Sequence, residues 1–509
     1  MEITPKVLFV APEAKPYAKT GGLAEVVGSL PKALSGLGCE VRIVIPYYSE
    51  VRQGSFPITL CAEDLQIDFL NASLPADVLH AQNNDGVRAY FLQRDELYDR
   101  SYLYGTPKGD YFDNACRFAY FSKSIFPLCK HIGFAPDILH CHDWQTALVP
   151  AYLKHIYRRD PFFRRTASAL TLHNIAYQGV FPSSSFPYTG LPPFMNTIDG
   201  MEFWGNISFL KAGITSADVI NTVSPTYSRE ILQEDYGCGL EGVLAAREKD
   251  LFGILNGVDY EDWDPSRDPF LECRYTSKRL SGKEICKRSL LEVFGIRVNS
   301  KNVPLIGMVS RLTEQKGLDI LHAAVEPLLS GDSAFVMLGS GEKDYQDLMV
   351  GLSKRYPGKM GIHVGYDNEL AHKIIAGCDM FVMPSRYEPC GLSQFYSMKY
   401  GTIPIVRATG GLEDSVEEFD PVTGRGTGFK FGPYSTDALL GAVRRALHIY
   451  QDRAAWRLLQ RNCMGQFFSW DQSAYAYLDL YDNARKRVSH SRVRYVRSRA
   501  VKSQGETNE

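Results

Sequence analysis

No C-x-x-C pair occurs among the 11 cysteines of this chain, and their odd number leaves one unmatched in any disulfide scheme. A zinc knuckle or a disulfide framework is therefore excluded as the organising device, and a reducing cytoplasm is the expected setting. Long apolar runs are also missing. None reaches the roughly 18 residues that a membrane-spanning helix needs, so no membrane role is expected. A dominant charge is absent: 56 Lys and Arg stand against 58 Asp and Glu, a net −2, which argues against a nucleic-acid partner. The first strand is expected within a few residues of Met1, leaving no room for a secretory or plastid leader, so a bacterial-style cytoplasmic protein is expected. Familiar nucleotide and nucleophile signatures fail as well. Gly339-Ser340-Gly341 lacks the third glycine of a dinucleotide fingerprint, Gly36-Leu37-Gly38 follows a helix, and neither a Walker lysine nor a G-x-S-x-G elbow is present.

What is present is a repeated pattern. At 509 residues the chain exceeds one comfortable core, so two domains are expected. Apolar strand-length runs such as Val7–Ala11, Glu40–Ile45, Asp137–Cys141, Ala169–His173 and Val219–Val223 alternate with helical spacing, as in Leu23, Val26, Val27, Leu30, Leu34 and Leu37. A charged stretch rich in Asp, Pro and Lys follows Gly253–Asp259, and the alternation restarts at Pro304–Val309. It continues through Ala334–Leu338, Gly361–Val364, Asp379–Met383 and Ile403–Val406. Such β-α-β order predicts parallel sheets with helices on both faces, and ligands beyond the carboxyl ends of the strands. A last amphipathic helix is expected after Trp470. The basic run Arg485-Lys486-Arg487 with Arg492, Arg494, Arg497, Arg499 and Lys502 reads as a solvated extension, a docking arm for an acidic partner being the alternative.

The chemistry-bearing residues lie at those strand ends. Lys19 precedes Gly21-Gly22 at a helix start, where an ammonium, unpaired N–H groups and glycines that admit close approach favour phosphate. A surface lysine beside a tight turn is the competing reading. Arg311 and Lys316 flank the end of another strand, placed to clamp a diphosphate. His140, His142 and Asp143 invite a metal reading, but no third and fourth ligand stand at a recognisable spacing. Asp143 is better read as a polar contact at a strand end, and His173-Asn174 closes the next strand, with a structural histidine as the plain alternative. Glu388 lies beside the helix start Cys390-Gly391-Leu392-Ser393. A carboxylate there is awkward for a phosphate site and suits sugar hydroxyls instead. Thr409-Gly410-Gly411-Leu412 forms a further strand-end loop.

These residues carry a resemblance. Lys19-Thr20-Gly21-Gly22-Leu23-Ala24-Glu25-Val26, His142-Asp143-Trp144, His173 through Gly179, Asn221 through Tyr227, Leu255 through Asp259, Ser310-Arg311-Leu312 through Lys316-Gly317 and Pro384 through Leu412 stand in the order found in bacterial glycogen synthases and plant starch synthases. The chain resembles that family over nearly its whole length. The resemblance implies an α/β fold of two Rossmann-like parallel-sheet domains facing across a cleft, the GT-B type. It divides the chain into an N-terminal domain over 1–255, a nucleotide-sugar domain over 256–470 and a helix crossing back over 471–488; the basic tail over 489–509, expected to be unstructured, has no counterpart in the family.

It further implies transfer of glucose from ADP-glucose, or UDP-glucose, to the non-reducing end of an α-1,4-glucan such as glycogen, with retention and without a metal or other cofactor. Lys19, Gly21, Gly22, Arg311 and Lys316 are implied around the diphosphate. Asp143, His173, Asn256, Glu388 and Cys390 to Ser393 are implied around the glucose, and Tyr366 on the base. Related families carry a second glutamate where this chain has Tyr396, a substitution that is this family's own habit. Two other functions share features of the pattern. A pyridoxal-phosphate glucan phosphorylase has the same architecture and would be coloured, and a non-catalytic glucan-binding scaffold would be expected to lack Lys316 or Glu388.

Overall fold

Parallel strands buried on both faces account for both halves of the chain. The computed structural model describes residues 4–82, 86–106, 108–298 and 303–505, with 490–505 as helical backbone only. The chain divides into two compact units. One comprises Met1–Val223, Ser228–Gly257 and Trp470–Glu509, and the other Ser224–Tyr227 and Val258–Ser469.

The first unit is built on a nine-stranded sheet. Its order from edge to edge is Leu251–Gly253, Val219–Thr222, Ala167–Leu172, Ile138–His142, Lys6–Val10, Glu40–Pro46, Arg88–Gln93, Ala72–Gln82 and Thr59–Phe69. The first seven pair in parallel, as the alternation predicts. The last two are antiparallel and form a hairpin edge that the sequence does not announce. Register shifts between Leu60 and Ala62 and between Ala62 and Leu65 interrupt its period-two pattern, so the alternation that identifies a half-buried strand is broken. The central strands are apolar throughout because both faces are covered; Val7, Leu8, Phe9 and Val10 have no exposed surface.

The second unit has a six-stranded, wholly parallel sheet in the order Met360–Val364, Ala334–Gly341, Leu305–Leu312, Met380–Met383, Ile403–Arg407 and Phe429–Phe431. Ser224–Tyr227 joins this unit through its capping groups. Thr226 donates from its N–H and its hydroxyl to the Asp414 carboxylate, both at 2.7 Å, and the Ser224 hydroxyl donates to the Pro389 carbonyl at 2.6 Å.

The last helix, Trp470–Gly505, packs on the first unit's sheet. Its helical backbone runs on through the stretch where an unstructured tail is expected to begin at 489. No proline or glycine interrupts the segment before Gly505. The end of that tail, 506–509, lies outside the described residues. Tyr481 on this helix meets His140 Nδ1 at 2.9 Å, His140 Nε2 meets the Thr171 hydroxyl at 2.7 Å, and that hydroxyl donates to Asn221 Oδ1 at 2.7 Å. His140 is fully buried, and burial holds its pKa down at about 3, so the ring is neutral. Tyr481→Phe strands a buried ring nitrogen and should cost about 1–3 kcal/mol of stability, measured by chemical unfolding. A loss under a few tenths of that would mean the ring nitrogen finds another partner.

Candidate active site

In the first unit the functional side chains gather at the carboxyl ends of three neighbouring strands. After Lys6–Val10 the chain turns through Glu13, which is buried and accepts from both the backbone N–H and the hydroxyl of Thr20, the latter at 2.8 Å. This fixes the Lys19-Thr20-Gly21-Gly22 turn. Gly21 precedes the helix Gly22–Gly36, whose first turn has no side-chain cap. A Cβ at Gly21 would meet nothing within 4 Å, so the backbone here borders open space. The exposed Lys19 ammonium lies 2.5 Å from Glu25 Oε1, in the first turn of that helix, and Lys15 reaches the same carboxylate at 3.4 Å.

Asp143 follows the strand Ile138–His142 and is held at φ +55°, a conformation rare outside glycine. Its N–H donates to Thr171 at 3.0 Å, and its Oδ1 accepts the His173 N–H at 2.7 Å. The two sequence-predicted residues are thus brought together by the ends of adjacent strands. His173 Nε2 in turn meets His142 Nδ1 at 3.0 Å. Burial holds the His173 ring well down, at about 3, and pushes the Asp143 carboxyl up to about 7, against the hydrogen bonds from His173 and Asn174 and with a further upward push from Glu13. Glu13 itself is pushed up to about 7 by burial. Asn256 is buried, and its side-chain oxygen has no hydrogen-bond partner among the described residues, an acceptor without a protein donor.

An acid whose pKa is raised by burial binds its proton more tightly in the fold than in the unfolded chain. The stability that Asp143 contributes is therefore complete below the unfolded carboxyl pKa and is lost as pH rises toward about 7. Asp143→Asn has no such proton to lose. Its stability relative to the parent should climb between about pH 4 and about pH 8, by up to about 4 kcal/mol. Urea unfolding at both ends of that range checks this, and a pH-independent difference would contradict a buried protonated Asp143.

In the second unit, Arg311 stands near the end of the strand Leu305–Leu312, and its Nη2 donates to Gln315 Oε1 at 3.2 Å. Gln315 also anchors the next loop, donating to the Tyr387 carbonyl at 3.2 Å and accepting the Arg386 N–H at 2.8 Å. Lys316 Nζ lies 2.6 Å from Glu388 Oε2, which also accepts from the Ser385 hydroxyl at 2.9 Å. Glu388 is only 5% exposed. Two strand ends 72 residues apart thus place a cation and a carboxylate in one ion pair. Two glycines make this possible. Gly317, at φ +70°, would drive a Cβ to 2.0 Å from the Pro384 carbonyl, and Gly410, at φ +46°, would do the same to the Glu388 carbonyl. Cys390, Gly391, Leu392 and Ser393 lead into the short helix Ser393–Lys399, and Gln394 Nε2 ties that turn to the Cys390 carbonyl at 2.9 Å. Tyr366 stands apart, 80% exposed, after the strand Met360–Val364.

Sequence reasoning misses three groups. Glu13 sits three residues beyond a strand end, the position rule that identified the others. The aromatic wall of Trp144, Tyr177, Phe181 and Phe203, with Gln178, lines a pocket of about 400 Å³ in the first unit, assembled from segments too distant for any local pattern. Trp263 lies between His372, at 3.7 Å, and Tyr396, at 4.0 Å, as stacked rings, so Tyr396 is filled structurally by a stack against indole. For the two-histidine metal reading, His140 and His142 are both buried, with ring centroids 4.3 Å apart, and among the described residues no group of three or more His, Cys, Asp or Glu is placed to hold a metal ion. No helix among the described residues is long and apolar enough to cross a membrane.

Comparison with known proteins fits this arrangement. Residues 6–246 match the starch synthase catalytic domain, and residues 292–459 match the glycosyl transferases group 1 domain. The chain is 46% identical over 480 residues to the glycogen synthase of Koribacter versatilis, covering 94% of this chain and 98% of that one. It is 45% identical over 489 residues to the glycogen synthase of Thermotoga maritima, covering 95% and 99%. The catalytic domain of starch synthase IV from Arabidopsis thaliana, solved bound to ADP and acarbose, superposes with a TM-score of 0.88 at 33% identity, over 95% of this chain and 99% of that one. With both units of the fold matched and relatives aligned almost end to end, the chain belongs to the bacterial glycogen synthase and starch synthase family, and it is a glucosyltransferase of the GT-B fold.

Proposed function

We propose that this protein transfers glucose from ADP-glucose to the non-reducing end of an α-1,4-glucan, glycogen in a bacterial cytoplasm, with retention of configuration and without a metal ion. UDP-glucose is the second donor to be considered. The Lys316–Glu388 pair carries this reading, because it sets a fixed cation beside a carboxylate at the ends of parallel strands where nucleotide ligands sit. The starch synthase relative solved with ADP and acarbose, a nucleoside diphosphate and an oligosaccharide mimic, supports the same pair of ligand classes.

Departure of a nucleoside diphosphate leaves positive charge on the glucose ring and builds negative charge on the leaving phosphate. Arg311, Lys316 and the N–H groups of the Gly391–Ser393 turn are assigned to that phosphate, where fixed donors act most strongly as charge develops. Lys19, Gly21 and Gly22 are assigned to phosphate on the first unit. Glu388 holds the Lys316 ammonium in place, and with Cys390 it borders the sugar. Asp143, His173 and Asn256 are assigned to glucose hydroxyls, Asn256 through its unpartnered buried oxygen. Tyr366, whose ring is exposed, is assigned to stacking on the base. For retention, the acceptor hydroxyl attacks from the face the phosphate leaves, and the leaving phosphate accepts its proton. The aromatic pocket of Trp144, Tyr177 and Phe181 offers apolar faces against which glucan rings pack.

Product analysis tests the reading. Proton NMR of glucan extended with ADP-glucose should show new α-1,4 linkages only. A β anomeric signal would overturn retention, and no extension from either ADP-glucose or UDP-glucose would overturn the donor class.

A further inference from the structure

A second concentration of positive charge lies in the second unit, away from the strand ends that carry Arg311 and Glu388. It is a cavity of about 760 Å³, a volume typical of small-molecule sites. Its wall is formed by the helices Ser281–Val293 and Arg453–Met464. Its floor reaches Asp379, which accepts the Leu305 N–H at 2.8 Å and gives its own N–H to the Leu305 carbonyl. Leu305 and Asp379 start two central strands, so the cavity opens at the amino ends of the sheet, opposite the site already described.

Seven lysines and arginines line it against two carboxylates, Glu284 and Asp379. Two of the cations are consumed by the fold. Lys287 pairs with Asp379 at 2.7 Å, and Lys283 donates to the Ala376 carbonyl at 2.8 Å and to the Thr402 hydroxyl. The exposed set is Lys278, Arg288, Arg453, Arg457 and Arg461. Arg453 lies over the Tyr450 ring at 4.4 Å. Lys278, Arg288, Arg457 and Arg461 have no ion-pair partner among the described residues.

The arrangement works against the helix that carries it. Arg453, Arg457 and Arg461 follow one another at one-turn spacing, where like charges repel, and the one carboxylate at this helix, the N-cap Asp452, is occupied by the Ala454 and Ala455 N–H groups. Arg453 also stands in the first turn, where a cation opposes the helix dipole. The helix Ser281–Val293 adds its amino terminus to the same wall through Leu280 and Ser281, with no side-chain cap on its first N–H groups. Guanidinium forks and uncapped N–H groups converging on a concave, small-molecule-sized space match phosphate oxygens.

We propose that this cavity binds a small anion bearing two or more phosphate groups, at a site separate from the one that handles the sugar donor. A lone carboxylate or a single phosphate would leave most of the rim cations unmatched. The concave, small-molecule-sized space and the chain's net charge of −2 favour a compact ligand over a nucleic acid.

Pyrophosphate and tripolyphosphate are the probes, titrated calorimetrically into the full-length protein at low salt. Two binding events are expected, one at the donor's diphosphate site and one in this cavity, and the cavity event is tighter for tripolyphosphate. The double variant Arg457→Glu, Arg461→Glu changes only exposed side chains and should weaken the cavity event at least about 10-fold, with glucosyl transfer kept within about two-fold. Arg288→Ala, on the other helix, should weaken it in the same direction. Arg311→Ala should weaken the donor-site event and leave the cavity event unchanged. A single event, lost in Arg311→Ala and kept in the double variant, would overturn the proposal by placing the anion at the donor site alone. Equal competition by sulfate, or binding of an oligonucleotide without binding of pyrophosphate, would overturn it too.

Discussion

Replacing Lys316 by Ala should lower kcat about 10²–10³-fold, the loss typical of one preorganised stabiliser of developing charge. The ammonium does not wander in solvent. Glu388 holds it at 2.6 Å, and Glu388 is itself fixed by the Ser385 hydroxyl. A cation held this way costs no reorganisation when charge builds on the leaving phosphate, which is why its effect should fall on turnover and not on the KM for glucan. The substitution also leaves the buried Glu388 carboxylate without its counter-charge, so some loss of stability accompanies the loss of rate. The two effects separate by measuring kcat well below the variant's own unfolding temperature. Turnover within a few-fold of the parent under those conditions would remove Lys316 from the catalytic set.

The second large effect is expected from Glu388→Gln. The amide keeps the volume and can still accept from Lys316 and Ser385 through its oxygen, so the loop Pro384–Leu392 should stay in place and the fold should survive. What disappears is the negative charge beside the sugar. With Lys316 no longer neutralised locally, the net local charge becomes positive just where the glucose ring turns positive as the phosphate departs. A loss in kcat of about 10²-fold follows, with the unfolding midpoint little changed. Because Lys316 and Glu388 act as one unit, the double variant should lose much less than the product of the two single losses. Full additivity would mean that the pair seen in the structure is a bystander to catalysis.

The parallel strands were legible because burial on both faces turns each into an apolar run, and the ends of those runs pointed directly at Lys19, Asp143, His173, Arg311 and Glu388. The antiparallel edge, Thr59–Phe69 with Ala72–Gln82, was not, since an exposed and bulged edge carries no clean period. Pairings over long sequence distance were equally silent. Nothing local ties Lys316 to Glu388, and His140 meets Tyr481 across 341 residues. Glu13 obeys the strand-end rule, yet a buried carboxylate beside Thr20 has no motif of its own to mark it in the sequence. Tyr396 shows the opposite case. Its role is a stack on Trp263, which only the assembled second unit reveals.

The central claim is that this chain moves glucose from a nucleoside-diphosphate donor to an α-1,4-glucan using its own side chains. The most direct measurement incubates the purified protein with glycogen and glucose-labelled ADP-glucose, with EDTA present, and follows ADP release and label in the polymer together. Equal molar release and incorporation, sustained in EDTA and strongly reduced in Lys316→Ala, is the predicted result. ADP release without incorporation, or activity that vanishes in EDTA and returns with a divalent cation, would contradict it.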